Sequence, residues 1–146
     1  MIRPFRATEM ENLLSLWLES TTLAHPFINP GYWQESLEMV RDLYLPHACT
    51  WVWAGEDSLS GFISVLDQRF VGALFIAPGE AGKGIGSALM QHVQQRFPRL
   101  SLEVYQRNRR AVDFYHARGF HIEDCAWQDD TGLPTWIMNW AEEQIH

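Results

Sequence analysis

The chain has 146 residues, 47% hydrophobic and 20% charged, a balance that excludes a disordered or fibrous protein and allows a core without disulfides or metals. Eleven Lys and Arg against eighteen Asp and Glu give a net charge of −7, which argues against nucleic-acid partners and favours cationic ones such as amines. The N-terminal Met1-Ile2-Arg3-Pro4-Phe5-Arg6 lacks a signal-peptide pattern, and no apolar run nears the roughly 18 residues of a membrane span.

The expected organisation is one domain over residues 1–146, with no linker, repeat or low-complexity tract. Residues 2–6 suggest a strand. Thr8, with Glu11 three residues on, signals a helix start. Met10, Leu13, Leu14, Trp17 and Leu18 then share one helical face. Asn29-Pro30 starts a second helix with Trp33, Leu37, Val40 and Tyr44 along it, and Pro46 stops it. The runs 50–54, 59–66 and 70–76 are rich in strand formers and read as an antiparallel meander.

Residues 78–84 form a glycine-containing loop, and a helix is expected from Gly86 to Phe97. Leu100 to Tyr105 alternates as a strand. Asn108 caps a short helix that ends at Gly119. Strands over 120–128 and 133–140 flank the turn Asp129-Asp130-Thr131-Gly132. The order β-α-α-β-β-β-α-β-α-β-β is an α+β, mixed-sheet pattern. Cys49 and Cys125 lie far apart and read as reduced thiols of a cytoplasmic protein.

Chemistry concentrates in Ala81-Gly82-Lys83-Gly84-Ile85-Gly86-Ser87. A glycine loop that opens a helix turns backbone N–H groups toward an anion, and the helix dipole assists. Lys83 can add one charge. The segment fails the P-loop pattern because Gly84 follows Lys83 and position 77 is Ala. It also misses the last glycine of a dinucleotide fingerprint, where Ser87 stands, and too little chain follows for that fold. A plain strand-to-helix turn remains the bland alternative.

The downstream segment, Glu103 to Phe120, resolves the choice. Its strand, Asn108, short helix with Phe114-Tyr115 and closing Gly119-Phe120 resemble the second signature of the GCN5-related N-acetyltransferase (GNAT) superfamily. Residues 81–86 align with that family's first signature, except that Ala81 stands where Arg or Gln is usual. The resemblance covers nearly the whole chain in element order. It implies a GNAT fold: a twisted, mostly antiparallel sheet, splayed parallel strands 4 and 5, and four helices.

The resemblance also implies acetyl transfer from acetyl-CoA to an amine, by direct attack in a ternary complex. The expected cofactor contacts are the strand edge Leu74, Phe75 and Ile76, the loop Gly82, Lys83, Gly84, Ile85, Gly86 and Ser87, and Asn108. A bulge in that strand would free an N–H for the developing oxyanion. Asn108 also reads as a plain helix cap. Arg107 or Arg110 suits a CoA phosphate.

Tyr115 occupies the family's general-acid position, although a tyrosine packing beside Val112 is the alternative. Two bases compete. Glu103 points away from the apolar face of its strand, and His25 lies in the loop where the family lines its acceptor site. The alternatives are a solvated carboxylate for Glu103 and a loop hydrogen-bonder for His25.

Phe27, Tyr32, Trp51, Trp53, Trp127 and Trp136 are candidates for an acceptor groove, with core packing the alternative for at least half. Asp129 and Asp130 either attract a basic substrate or simply stay in water. Six His and two Cys show no metal-ligand spacing, so no metal is expected. The acceptor read from the resemblance is a protein lysine. A small-molecule amine, and a non-catalytic acyl-CoA-binding regulatory module, are the alternatives. No nucleic acid, no membrane, and a monomer or homodimer complete the expectations.

Overall fold

A computed structural model describes residues 1–142. The strands are β1 (Ile2–Pro4), β2 (Cys49–Ala54), β3 (Leu59–Leu66), β4 (Phe70–Ile76), β5 (Arg99–Tyr105), β6 (His121–Gln128) and β7 (Leu133–Ala141). The helices are α1 (Met10–Ala24), α2 (Pro30–Met39), α3 (Ile85–Gln94) and α4 (Arg109–Ala117). All seven strands join one sheet in the order β1-β2-β3-β4-β5-β7-β6. Every neighbouring pair is antiparallel except β4 and β5.

Alternation along the strands divides the core between two faces. On one, Ile85, Leu89, Met90 and Val93 of α3 and Val112 of α4 pack on Ile63, Val65, Leu100, Leu102, Val104 and Met138. On the other, Leu13, Leu14, Leu16 and Trp17 of α1 pack with Leu45 on Val52, Phe62 and Ala73. The expected apolar stripe of α1 is therefore real. Its start differs: a 3-10 turn, Ala7–Glu9, precedes the helix, and Glu9 rather than Glu11 accepts from the Arg6 N–H at 3.0 Å. Glu9 is also fixed by Arg3, which donates to both its oxygens at 2.8 and 2.6 Å.

Asn29 caps α2 as expected, its Oδ1 accepting from the Gly31 N–H at 2.8 Å. The helical path then widens into a π turn, Val40–Tyr44, before a 3-10 turn at Leu45–His47. The wider turn carries Tyr44 onto β4. A Cβ at Gly72 would lie 1.7 Å from the Tyr44 Oη, so only glycine leaves room for that ring. Gly72 is also the extra residue of a bulge, since Ser64 pairs with Ala73 and Val65 with Val71. The bulge thus lies just before the Leu74–Ile76 stretch where the sequence suggested one.

β4 and β5 share a single ladder pair, Phe70 with Ser101, supported by the Ser101 N–H donating to the Arg69 carbonyl at 2.8 Å. Beyond that point the two strands part. α3 and α4 then approach from one face, with the Phe114 ring 3.6 Å from where a Gly86 Cβ would sit. Among the described residues, no helix is long and apolar enough to cross a membrane.

Candidate active site

The parting of β4 from β5 leaves one edge of β4 without a strand partner. The Ala77 N–H donates to the Ser60 carbonyl of β3 at 2.8 Å. Alternation then aims the polar groups of Ala73 and Phe75 at β3, and those of Leu74 and Ile76 at the gap. The Ile76 carbonyl accepts from the Ser20 Oγ of α1 at 3.2 Å.

The gap opens into a cleft of about 800 Å³. At one end lie residues 80–87, except Lys83, with Asn108, Arg110, Phe114 and Tyr115. At the other lie Trp17, Thr21, His25, Trp33, Tyr44, Glu103 and Tyr105, with Leu74, Phe75 and Ile76 on the wall between.

The glycine end is built from backbone. Gly82 and Gly84 sit at φ +82° and +80°, the left-handed region that side chains avoid, and nothing lies within 4 Å of where their Cβ atoms would be. Gly84 is the N-cap of α3, and the first intrahelical donor is the Ala88 N–H, at 3.0 Å from the Gly84 carbonyl. The N–H groups of Ile85, Gly86 and Ser87 therefore have no acceptor within the helix. Ile85 turns its side chain into the core, at 5% exposure, so it can offer a ligand only its backbone. Lys83 faces outward, its Nζ on the Glu80 Oε2 at 2.9 Å.

Asn108 caps α4, its Oδ1 accepting from the Ala111 N–H at 3.3 Å, and it lines the cleft as well. Arg107 leaves the cleft and lies over the Phe27 ring at 6.0 Å, so of the two arginines only Arg110 borders it. Tyr115 is half-buried against Phe114 and Phe120. Burial pushes its phenol up to about 12.

The opposite end is built from side chains. The Glu103 Oε2 accepts from the Thr135 hydroxyl at 2.6 Å. The Thr131 hydroxyl donates to the Tyr105 Oη at 3.3 Å. Burial raises the phenols of Tyr32 and Tyr105, and the nearby Asp130 adds to both, which sets that carboxylate at the rim. Asp129 is exposed beside it.

His25 is 7% exposed, with its Nδ1 2.7 Å from the Thr21 carbonyl. That contact places the proton on Nδ1 and leaves Nε2 as the basic nitrogen. Phe27, Trp33 and Tyr105 surround the ring at centroid distances of 5.7, 5.1 and 5.3 Å. Burial lowers its pKa, so the ring is neutral at pH 7.

The structure thus brings Tyr115, Glu103, His25, Leu74, Phe75, Ile76, Asn108 and most of the glycine loop around one cleft. The aromatic candidates divide. Phe27 and Tyr32 join the His25 cluster. Trp51, Trp53 and Trp136 pack against the α3 side of the sheet, and Trp127 is 60% exposed on β6. Sequence reading missed Trp17, Trp33 and Tyr44 as cleft residues, because helical spacing marks such rings as core, and it did not name Tyr105, although strand alternation sets that ring on the same face as Glu103. Among the described residues, no three His, Cys, Asp or Glu side chains group to hold a metal.

A splayed sheet, a glycine turn at a helix start and a half-buried tyrosine thus meet at one cleft. The Acetyltransferase (GNAT) family matches residues 10–120, and the chain belongs to that family. It is 56% identical, over 99% of both chains, to the peptidyl-lysine N-acetyltransferase YiaC of Escherichia coli K12. The solution structure of apo-form YjaB from Escherichia coli superposes with a TM-score of 0.82, at 31% identity over 98% of both chains. The PaiA N-acetyltransferase of Thermoplasma acidophilum, solved with coenzyme A, shares the fold at TM-score 0.79 and 19% identity, over 97% of this chain and 98% of that one. The protein is an N-acetyltransferase, and acetyl-CoA is its co-substrate.

Proposed function

We propose that this acetyltransferase modifies lysine side chains of peptides or proteins by direct attack on acetyl-CoA. One observation carries the reading. The cleft joins a glycine turn at a helix start to an end lined by Glu103 and Tyr105, with Asp130 close enough to act on both Tyr105 and Tyr32, which suits an ammonium on an apolar stem. The peptidyl-lysine activity named for the 56% identical relative supports it.

In this reading the N–H groups of residues 82–87 hold the CoA pyrophosphate, and Asn108 and Arg110 border the cofactor. The pantetheine arm lies along Leu74, Phe75 and Ile76 and takes the strand hydrogen bonds that β5 leaves open. The Leu74 N–H, aimed into the gap, stabilises the oxyanion, a contribution of roughly 3–4 kcal/mol where such donors have been removed.

A lysine ammonium has a pKa of about 10.4 and must lose a proton before it attacks. Glu103 takes that proton through water. Its Oε1 has no partner among the described residues, whereas Thr135 fixes Oε2. His25 is a positioning residue, locked by Thr21 and three aromatic rings.

Tyr115 donates to the departing sulfur. Full transfer from a phenol near 12 to a thiolate of pKa about 8.5 is uphill by roughly 5 kcal/mol. The hydrogen bond therefore forms first, and the proton lost by the attacking nitrogen completes the exchange.

The test is release of free CoA thiol with lysine peptides, α-amino peptides and polyamines in parallel. The reading expects the lysine peptides to give the highest kcat/KM. Faster turnover of polyamines would replace it with a small-molecule activity, and tight acetyl-CoA binding without turnover would favour a regulatory module.

A further inference from the structure

Of the eleven basic side chains, Lys83 is the sole lysine; every other one is arginine. Arginine stays protonated and is no nucleophile, so the 146 residues hold one ε-amine that acetyl-CoA can modify. That amine is placed unusually. Lys83 is flanked by Gly82 and Gly84, at each of which an added Cβ would meet nothing within 4 Å, and its side chain is 61% exposed. Alone among residues 80–87 it does not line the cleft, whereas its partner Glu80 does.

We propose that Lys83 is an acetyl acceptor for the cleft of a second copy of this enzyme, and that its acetylation weakens the modified copy's hold on acetyl-CoA. The proposal rests on the lysine-acceptor reading above. Lys83 points away from its own cleft, so the thioester that reaches it belongs to another molecule. The open glycine loop presents the lysine as an exposed peptide would, and the acidic mouth of the second copy suits its charge.

The chemistry balances with acetyl-CoA alone. The Lys83 ammonium gives one proton to solvent, and the free Nζ attacks the thioester carbonyl. A C–N bond forms, the C–S bond breaks, and the second nitrogen proton ends on the CoA thiolate. The products are an acetylated lysine and free CoA.

The regulatory effect runs through Glu80. While Lys83 is charged, it neutralises that carboxylate at 2.9 Å. Acetylation removes the cation and leaves Glu80 as a bare negative charge on the wall where the pyrophosphate is held. Binding of an anion there weakens. The expected rise in KM for acetyl-CoA is about two- to fivefold, the range of an exposed ion pair.

The experiment incubates the purified protein with acetyl-CoA at several protein concentrations, beside a lysine-peptide assay, and maps the product by mass spectrometry. The expected result is one acetyl group on Lys83, added at a rate per molecule that rises in proportion to protein concentration and lost in Lys83→Arg. A rate independent of concentration, or modification elsewhere in the chain, overturns transfer between copies. Peptide acetylation without Lys83 acetylation overturns this inference and leaves the lysine-acceptor reading standing; failure of both overturns both. The acetylated protein is then assayed for acetyl-CoA KM, and so is acetylated Glu80→Gln. An increase in the first that is absent from the second supports the charge mechanism, and no increase in the first overturns it.

Discussion

The two ends of the cleft are made of different material. The glycine end is backbone: two glycines at positive φ, three N–H groups at the start of α3 with no acceptor within the helix, and the open edge of β4. The opposite end is side chain: His25, Trp33, Tyr44, Glu103 and Tyr105, drawn from the residue after α1, α2, the π turn and β5. Backbone recognition asks only that certain positions be glycine and that a helix begin there, so few residues specify it. Side-chain recognition asks distant segments to converge, so it can be retuned one residue at a time while cofactor binding is preserved.

This division can be broken or sharpened by substitution. Tyr115→Phe has the largest expected effect, a loss of turnover of at least about tenfold with acetyl-CoA affinity barely moved, because the ring still fills its site and only the donor is removed. Stopped-flow thiol release beside equilibrium CoA titration checks it, and near-normal turnover would remove Tyr115 from the chemistry.

Glu103→Gln follows. The expected outcome is about a tenfold fall in kcat/KM for a lysine peptide and loss of the acidic limb of its pH profile. His25→Ala should keep that limb; if it is His25→Ala that loses it, the two roles are exchanged.

Gly84→Ala probes the other end. Its φ of +80° costs a side chain about 1 kcal/mol or more. KM for acetyl-CoA should rise about fivefold, as that strain implies, and KM for the peptide should stay constant. A matching change in both would mean that the ends are not separable.

The smallest effect lies far from both. Arg3 holds the Glu9 carboxyl below its ordinary pKa of 4.5, chiefly by hydrogen bonding. A lowered folded-state pKa adds stability that is present above pH 4.5 and lost as pH falls through the lowered value. Glu9→Gln should cost about 1 kcal/mol at pH 7 and progressively less as pH falls below 4.5, read by denaturant unfolding, with both KM values unchanged.

The same division explains what could be read in the sequence. The glycine loop, Asn108, Phe114-Tyr115 and Gly119 lie within local patterns, and each element they mark forms close to its expected bounds. Glu103 and Thr135 are 32 residues apart, and only the pairing of β5 with β7 joins them. Tyr44 looks like the last core position of a helix. A π turn and a glycine bulge on another strand put it in the cleft. Glu11 and Glu9 are both acids near a helix start, and the bidentate grip of Arg3 selects Glu9. Lys83 illustrates the reverse: its place in the glycine loop suggested a charge beside the cofactor, whereas its side chain pairs with Glu80 and does not line the cleft.

The lone ladder pair between β4 and β5, Phe70 with Ser101, makes the sheet two plates joined at one rung. A molecule lying in the gap becomes a non-protein strand that ties the plates together. Acetyl-CoA should therefore act as a mechanical splice, slowing amide exchange at Leu74 and Ile76 and raising the force needed to pull β1–β4 from β5–β7. Release of CoA after transfer cuts that splice, so each turnover would momentarily return the enzyme to its loosest form.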